Sequence, residues 1–254
     1  VSTELAAKAD QLRALHDTGV PLVLANVWDA RSARIVVKAG FAAVATSSGA
    51  VVTTLGYRDG GHAPPDVVFA ALARITGAVE VPVTADIEDG YGLSADDLAD
   101  ALVGSGAAGC NLEDSDHAGV GLLVDADQFA TRVVDLKRAA RGRGVDLVVN
   151  ARVDVHLQQV GPPEGRLGEA LRRARLYVEA GADCIYPITV SDEETAKALV
   201  AGAGSPINLL ARAEAADVVR LASYGATRIS VGSGLATLAY QRAEEVARQL
   251  ATAL

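Results

Sequence analysis

Eight short apolar runs, each followed by a stretch of helical periodicity, limit what this chain can fold into. The runs are PLVLANVW (21–28), FAAVATSS (41–48), VPVTADIE (81–88), GCNLED (109–114), DLVVNARVD (146–154), DCIYPIT (183–189), PINLLAR (206–212) and RISVGSG (228–234). They are nearly continuous in small and branched apolar residues, the pattern of parallel strands covered on both faces. The segments between them read as helices. In EGRLGEALRRARLYVEAGAD, Leu167, Leu171, Ala174 and Val178 share a face and Gly181 stands at the C-cap. Ser94, three residues before Asp97, has the form of an N-cap. An Ala-Gly or Gly-Ala pair recurs before the runs at 41, 109, 183 and 228, marking helices that stop and hand over to a strand.

Eight such units in 254 residues, without a linker or a break in composition, predict an α/β fold: a (β/α)8 barrel forming one domain over residues 1–254. A doubly wound open sheet is the alternative. An extra amphipathic helix precedes the first strand. Its mixed charge is unlike a secretion signal, and position 1 is Val, as in a trimmed start. The net charge of −9 and the few aromatics argue against a nucleic-acid partner. No run is long enough to span a membrane. Cys110 and Cys184 lie inside strand-like runs, with no metal-type spacing and no disulfide framework, so a reducing cytoplasm is expected.

In a barrel, chemistry belongs at the C-terminal ends of the strands. Polar residues gather there: Asn26, Trp28 and Asp29; Thr46, Ser47, Ser48 and Gly49; Asp86, Glu88 and Asp89; Asn111, Glu113 and Asp114; Asn150, Arg152 and Asp154. Residues two apart on a strand share a face, which pairs Asp86 with Glu88, Asn111 with Glu113 and Asn150 with Arg152. Asp86, Glu88 and Glu113 around one mouth form a cluster of like charge that calls for a cation. Mg²⁺, or Mn²⁺ in its place, suits such hard oxygen ligands. Arg152 is then free to hold a substrate carboxylate or phosphonate. The blander alternatives are an Arg152–Glu113 ion pair with a purely structural role and a Glu113-Asp114 pair that opens a solvated loop. Asp89 reads as the brace of the Gly-Tyr-Gly turn.

TSSGAVVTTLGYRDGG, DIEDGYG, NLED and NARVD, in this order and spacing, resemble the isocitrate lyase / phosphoenolpyruvate mutase superfamily from about Asn26 to Ser233. The resemblance implies a (β/α)8 barrel whose last helix is exchanged between subunits of a homodimer or homotetramer. It also implies Mg²⁺ and a 2-oxo acid or phosphonate substrate. It assigns Asp86, Glu88 and Glu113 to the metal and its water network. Asp59 falls near the metal, and Ser47, Ser48 and Gly49 in the turn that binds the substrate carboxylate. Trp28 falls at the pocket wall, and Arg152 on the substrate.

The loop after Glu113 departs from that pattern. The lyases carry K-[KR]-C-G-H there, with a catalytic Cys, and the mutases a Lys and an Asn. This chain has SDHAGVGLLVDADQ, with Gly at 119 and 121 and no Lys, Arg or Cys from Ser115 to Gln128. The segment CIYPIT has Ile188 where the relatives carry Glu or His. His117 is the one titratable loop residue suited to proton transfer near neutral pH. The expected activity is therefore Mg²⁺-dependent cleavage of a C–C bond next to a 2-oxo acid through an enolate, as in oxaloacetate decarboxylation, with Arg152, Glu113 and His117 as catalytic residues. P–C bond chemistry (mutase or phosphonopyruvate hydrolase) and a non-catalytic 2-oxo-acid-binding protein are the alternatives.

Overall fold

The computed structural model describes residues 2–253 apart from 118 and 120. Its strands are β1 (Leu22–Leu24), β2 (Asn26–Val27), β3 (Val44–Thr46), β4 (Val83–Asp86), β5 (Gly109–Glu113), β6 (Val148–Val153), β7 (Cys184–Pro187), β8 (Asn208–Leu210) and β9 (Arg228–Ser230). Its helices are α1 (Ser2–Ala14), α2 (Ala30–Lys38), α3 (Ser48–Thr54), α4 (Pro65–Thr76), α5 (Ala95–Gly104), α6 (Ala126–Gly142), α7 (Pro163–Glu179), α8 (Glu193–Gly202), α9 (Ala215–Ser223) and α10 (Gly234–Ala251). Each predicted run holds a strand, all ladder pairs are parallel, and helices follow in the predicted alternation.

Four details differ from the expected barrel. The first run is split at Ala25, so that β1 pairs with β9 and β2 with β3. The ladder is thus divided into a six-stranded sheet, β2 to β7, and a three-stranded one, β1-β9-β8. Between β7 and β8 pairing shrinks to one bridge, Ile185 to Ile207, and the barrel is not closed by regular pairing there. Pro187 ends β7 and Pro206 precedes the bridge, and neither has an N–H to donate. The strands are also shorter than the apolar runs, so several polar ends lie beyond the ladder. The segment after β3 holds a further helix that was not expected, α3, capped by the Ser47 hydroxyl.

Helix ends follow the sequence signals. Ser94 Oγ accepts from Asp97 N at the start of α5. Gly40, Gly106, Gly181 and Gly225, the glycines of the recurring pairs, all have positive φ, which reverses the chain from helix into strand. The barrel interior is more polar than the usual layers of branched side chains. Asn111, Asn150, Asn208, Ser230 and Arg228 are all buried there, joined by Asn150 Nδ2 to Asn111 Oδ1 (2.9 Å) and Arg228 Nη2 to Asn111 Oδ1 (3.0 Å).

Helix α1 closes the N-terminal end of the barrel. Leu5, Ala9 and Leu12 are buried, and Arg13 donates to Asp183 Oδ1 (2.9 Å) and to the Asp146 carbonyl (2.7 Å) at the starts of β7 and β6. At the other end of the chain, α10 buries Ala236 and leaves Leu238, Tyr240, Val246 and Leu250 exposed. Between α9 and β1 lies an apolar cleft of about 390 Å³ lined by Val23, Ala25, Phe41, Val218, Val219 and Leu235 among others. Among the described residues no helix is long and apolar enough to cross a membrane. If α1 plugs the barrel, Leu12→Ala should lower the unfolding free energy by about 2–5 kcal/mol in a urea titration, as for other buried leucines. An unchanged midpoint would show that the barrel floor stands without α1.

Candidate active site

A cavity of about 260 Å³ opens at the C-terminal strand ends, lined by Ser48, Asp59, Gly60, Glu88, Glu113, Ser115, His117, Arg152, Leu157 and Gln158. Four segments supply its inner half. The turn after β3 leads into α3, where Ser47 Oγ accepts from Ala50 N (3.4 Å) and shares a hydrogen bond with Ser233 Oγ (2.8 Å). Ser48 N donates to Asp86 Oδ2 at 3.0 Å, so this amide serves the carboxylate at the end of β4. At Gly49 an added Cβ would lie 2.9 Å from Asp59 Oδ2, so a side chain there would push the Asp59 carboxylate aside. The Asp59 carboxylate is brought to the turn by a loop that follows α3.

Glu88 reaches the cavity by a different route from the one strand alternation suggests. β4 ends at Asp86, and Glu88 has φ 51°, in the left-handed region. Its Oε2 accepts from Gly61 N, and its buried Oε1 has no partner among the described residues. The backbone turn, not a shared strand face, swings it inward. Asp89 Oδ1 accepts from Tyr91 N (2.9 Å), bracing the Gly-Tyr-Gly turn as its spacing indicated.

β5 and β6 supply the charged wall. Glu113 pairs in register with Arg152, and Arg152 Nη1 lies 2.6 Å from Glu113 Oε2. The other edge of the guanidinium holds Asp154 through Nε to Oδ1 and Nη2 to Oδ2, both 2.7 Å. Glu113 Oε1 lies 2.6 Å from His117 Nε2. Asp114 does not begin a solvated loop. It is fully buried, accepting from Tyr177 Oη (2.7 Å), Arg173 Nη1 (3.0 Å) and Asp154 N (2.8 Å).

Burial raises the Asp86 and Glu88 carboxyls above their ordinary range, against the opposing pull of Arg152 at Asp86 and of the Gly61 amide at Glu88. Burial also lifts Glu113, to about 7, although Arg152 and the His117 hydrogen bond work the other way. The hydrogen bond to Glu113 lifts the His117 imidazole to about 9, so it is protonated at neutral pH. The thiols of Cys110 and Cys184, inside β5 and β7, are pushed up to about 12 by burial and are inert.

Among the described residues no three or more His, Cys, Asp or Glu side chains are grouped to hold a metal. The expected set of Asp86, Glu88 and Glu113 is therefore not assembled as a cage. Glu113 has both oxygens committed to Arg152 and His117 and does not fit as a direct ligand. Asp86 and Glu88 do fit a hard cation that takes one or two carboxylates and otherwise keeps water. Both are burdened by burial, and the unpartnered Glu88 Oε1 is the kind of buried oxygen that a cation would satisfy.

Ser47, Gly49 and Asp86 lie behind the lining residues, and Trp28 is not among them either; it packs on Tyr240 of α10 with ring centroids 6.1 Å apart. Asp29 caps α2 in a capping box with Ser32. Asn26 ties strands together through Thr46 O (2.7 Å) and Val231 N (2.9 Å). Conversely, Ser115, Leu157 and Gln158 line the cavity without having been singled out. They lie past the strand ends in segments of unremarkable composition. The nearest available signal was their place just downstream of NLED and NARVD.

The phosphoenolpyruvate phosphomutase family model matches residues 12–251. An uncharacterised protein of Mycobacterium tuberculosis (strain ATCC 25618 / H37Rv) is 34% identical over 220 residues, covering 86% of this chain and 80% of that protein. A crystal structure from Burkholderia cenocepacia J2315, named provisionally as a phosphonomutase, is 39% identical with a TM-score of 0.89, over 95% of this chain and 99% of that one. The structure of 2,3-dimethylmalate lyase, described as a PEP mutase/isocitrate lyase superfamily member, superposes with a TM-score of 0.83 at 25% identity, over 97% of this chain and 87% of that one. Barrel, strand-end carboxylates and these matches agree: the chain belongs to the isocitrate lyase / phosphoenolpyruvate mutase superfamily.

Proposed function

We propose that this protein is an enzyme that cleaves a C–C bond next to a 2-oxo acid through an enolate, with Mg²⁺ (or Mn²⁺) held by Asp86 and Glu88. The observation that carries this reading is Glu88, whose buried Oε1 lacks a partner among the described residues, in a cavity that it shares with Arg152 and His117, with Asp86 two residues before it at the end of β4. A bound divalent cation would supply a Lewis acid for the charge that develops on the substrate oxygens. Arg152 keeps N–H groups beyond those bonded to Glu113 and Asp154, and these can meet a substrate carboxylate. In oxaloacetate, the simplest member of the class, the C3–C4 bond breaks and its electron pair enters the C2–C3 enolate. CO₂ leaves, and a proton delivered to C3 gives pyruvate. His117, protonated and seated on Glu113, is the chain's own donor for that proton in place of the missing loop Cys. Glu113 orients it, and Ser47, Ser48 and Gly49 shape the end that takes the substrate carboxylate, beside Asp59.

The phosphonate alternative draws support from the family match and from the Burkholderia relative. Its P–C chemistry would use the same carboxylate and arginine wall. The apolar face of α10 and the open cleft beside α9 further support a homodimer or homotetramer in which α10 of one subunit covers the cleft of another.

The direct test is pyruvate release from oxaloacetate with Mg²⁺ and with EDTA. Metal-dependent release that oxalate inhibits is expected, and Asp86→Ala should reduce it at least about 100-fold, the scale of losing one preorganised electrostatic group. The wild-type rate should fall as pH rises through about 9, where His117 loses its proton, and His117→Gln should lower the rate and abolish that alkaline limb. Full activity in Asp86→Ala would sink the proposed site. Oxalate stabilisation without any turnover would favour the non-catalytic binder, and turnover confined to phosphonates would favour the alternative. For the assembly, light scattering should give a dimer or tetramer for the wild type and a monomer for Leu238→Asp combined with Leu250→Asp. An unchanged mass would remove α10 from the interface.

A further inference from the structure

The inner half of the cavity is charged, but its outer wall, in the segment after β6, is Leu157 and Gln158. Proton bookkeeping fixes how Gln158 stands. Ser115 has one hydroxyl proton, and it is given to Asp154 Oδ2 at 2.6 Å, on a carboxylate that already holds Arg152 through both oxygens. Ser115 Oγ can therefore only accept from Gln158, at 3.0 Å, which turns Nε2 of the amide toward Ser115. Oε1 and the second N–H of Gln158 remain available on a residue that lines the cavity.

The charges around it point the same way. Among the described lining residues the cations are Arg152 and His117, and both are engaged by Glu113, with Asp154 also on Arg152. The lining carboxylates Asp59, Glu88 and Glu113 outnumber them. A second anionic group at the far end of a substrate would face a neutral amide and Leu157, with each cation among the described lining residues already engaged by carboxylates. A neutral group that can both donate and accept is the better complement to Gln158.

Resting on the reading above, we propose that Gln158, fixed by Ser115, is a specificity-determining residue, and that the far end of the preferred 2-oxo acid is a small uncharged group bearing a hydroxyl. A 4-hydroxy-2-oxo acid is the matching class. Its cleavage breaks the same C3–C4 bond, and the electron pair enters the same enolate. The C4 hydroxyl gives its proton to solvent as C4 becomes an aldehyde carbonyl, and C3 regains a proton.

The test is displacement of oxalate from the Mg²⁺-loaded protein by 4-hydroxy-2-oxobutanoate and by oxaloacetate, which reads affinity with or without turnover. The wild type should prefer the hydroxy acid at least about tenfold, a modest fraction of what a substrate hydroxyl can contribute to discrimination. Gln158→Lys should shift the ratio toward oxaloacetate by about tenfold or more, and Gln158→Glu should shift it the opposite way. Melting temperatures near the wild type would show that both variants are folded. If the ratio stays within about twofold in both variants, or moves the same way in both, the specificity assignment is overturned while the lyase reading stands. If the wild type does not bind oxalate with Mg²⁺ at all, the lyase reading falls, and this inference with it.

Discussion

Arg152 is the point on which the candidate site turns. Its guanidinium is largely buried, with Asp154 across one edge and Glu113 on the other. An unpaired charge at this depth would cost several kcal/mol. Asp154 in fork geometry and Glu113 on the remaining amino group offset that penalty and leave the guanidinium one orientation. The consequences run outward in both directions. Glu113, once engaged, holds His117 over the cavity. Asp154, once engaged, fixes the Ser115 hydroxyl and through it the amide of Gln158. Asp154 N in turn donates to Asp114, which Arg173 and Tyr177 tie to α7. A single hydrogen-bonded chain thus joins a barrel helix to His117 on one side and Gln158 on the other.

The opposite wall is organised by backbone shape. Glu88 occupies the left-handed region, a conformation that costs a non-glycine residue on the order of 1 kcal/mol or more. Gly61 N secures its carboxylate, and the loop that supplies Gly61 also brings Asp59 against Gly49. The two walls differ in character. The arginine wall is held by paired charges on both edges of the guanidinium, whereas the carboxylate wall is under-satisfied, with an unpartnered buried oxygen on Glu88 and carboxyls made weaker acids by burial. That asymmetry is what a site needs if one side is to stay rigid while the other receives a cation and substrate oxygens.

Much of this was legible in the chain. NLED and NARVD put Glu113 and Arg152 at the ends of two strands, with their ion pair as one of the readings, and the structure supplied the register that sets them side by side. DIEDGYG announced both the carboxylates and the braced turn. Strand alternation failed at Glu88 because β4 ends at Asp86 and a turn takes over. Trp28 and Asp29 were polar or aromatic residues at a strand end that the fold used for packing and capping. Ser115, Leu157 and Gln158 escaped notice because loop residues carry no periodicity.

The sequence by itself determined the α/β alternation, the parallel strands, the helix caps and the edge of the barrel where charge collects. Each of these follows from local periodicity or from a residue's own backbone preference. The tertiary structure alone decided which charges satisfy one another. It gave Glu113 to Arg152 and His117, left Glu88 Oε1 without a partner, turned Gln158 toward Ser115 and left the apolar face of α10 exposed. Those outcomes depend on distances of a few ångströms between segments far apart in the chain, and hydrogen bonds and ion pairs are too short-ranged and directional to be read from spacing.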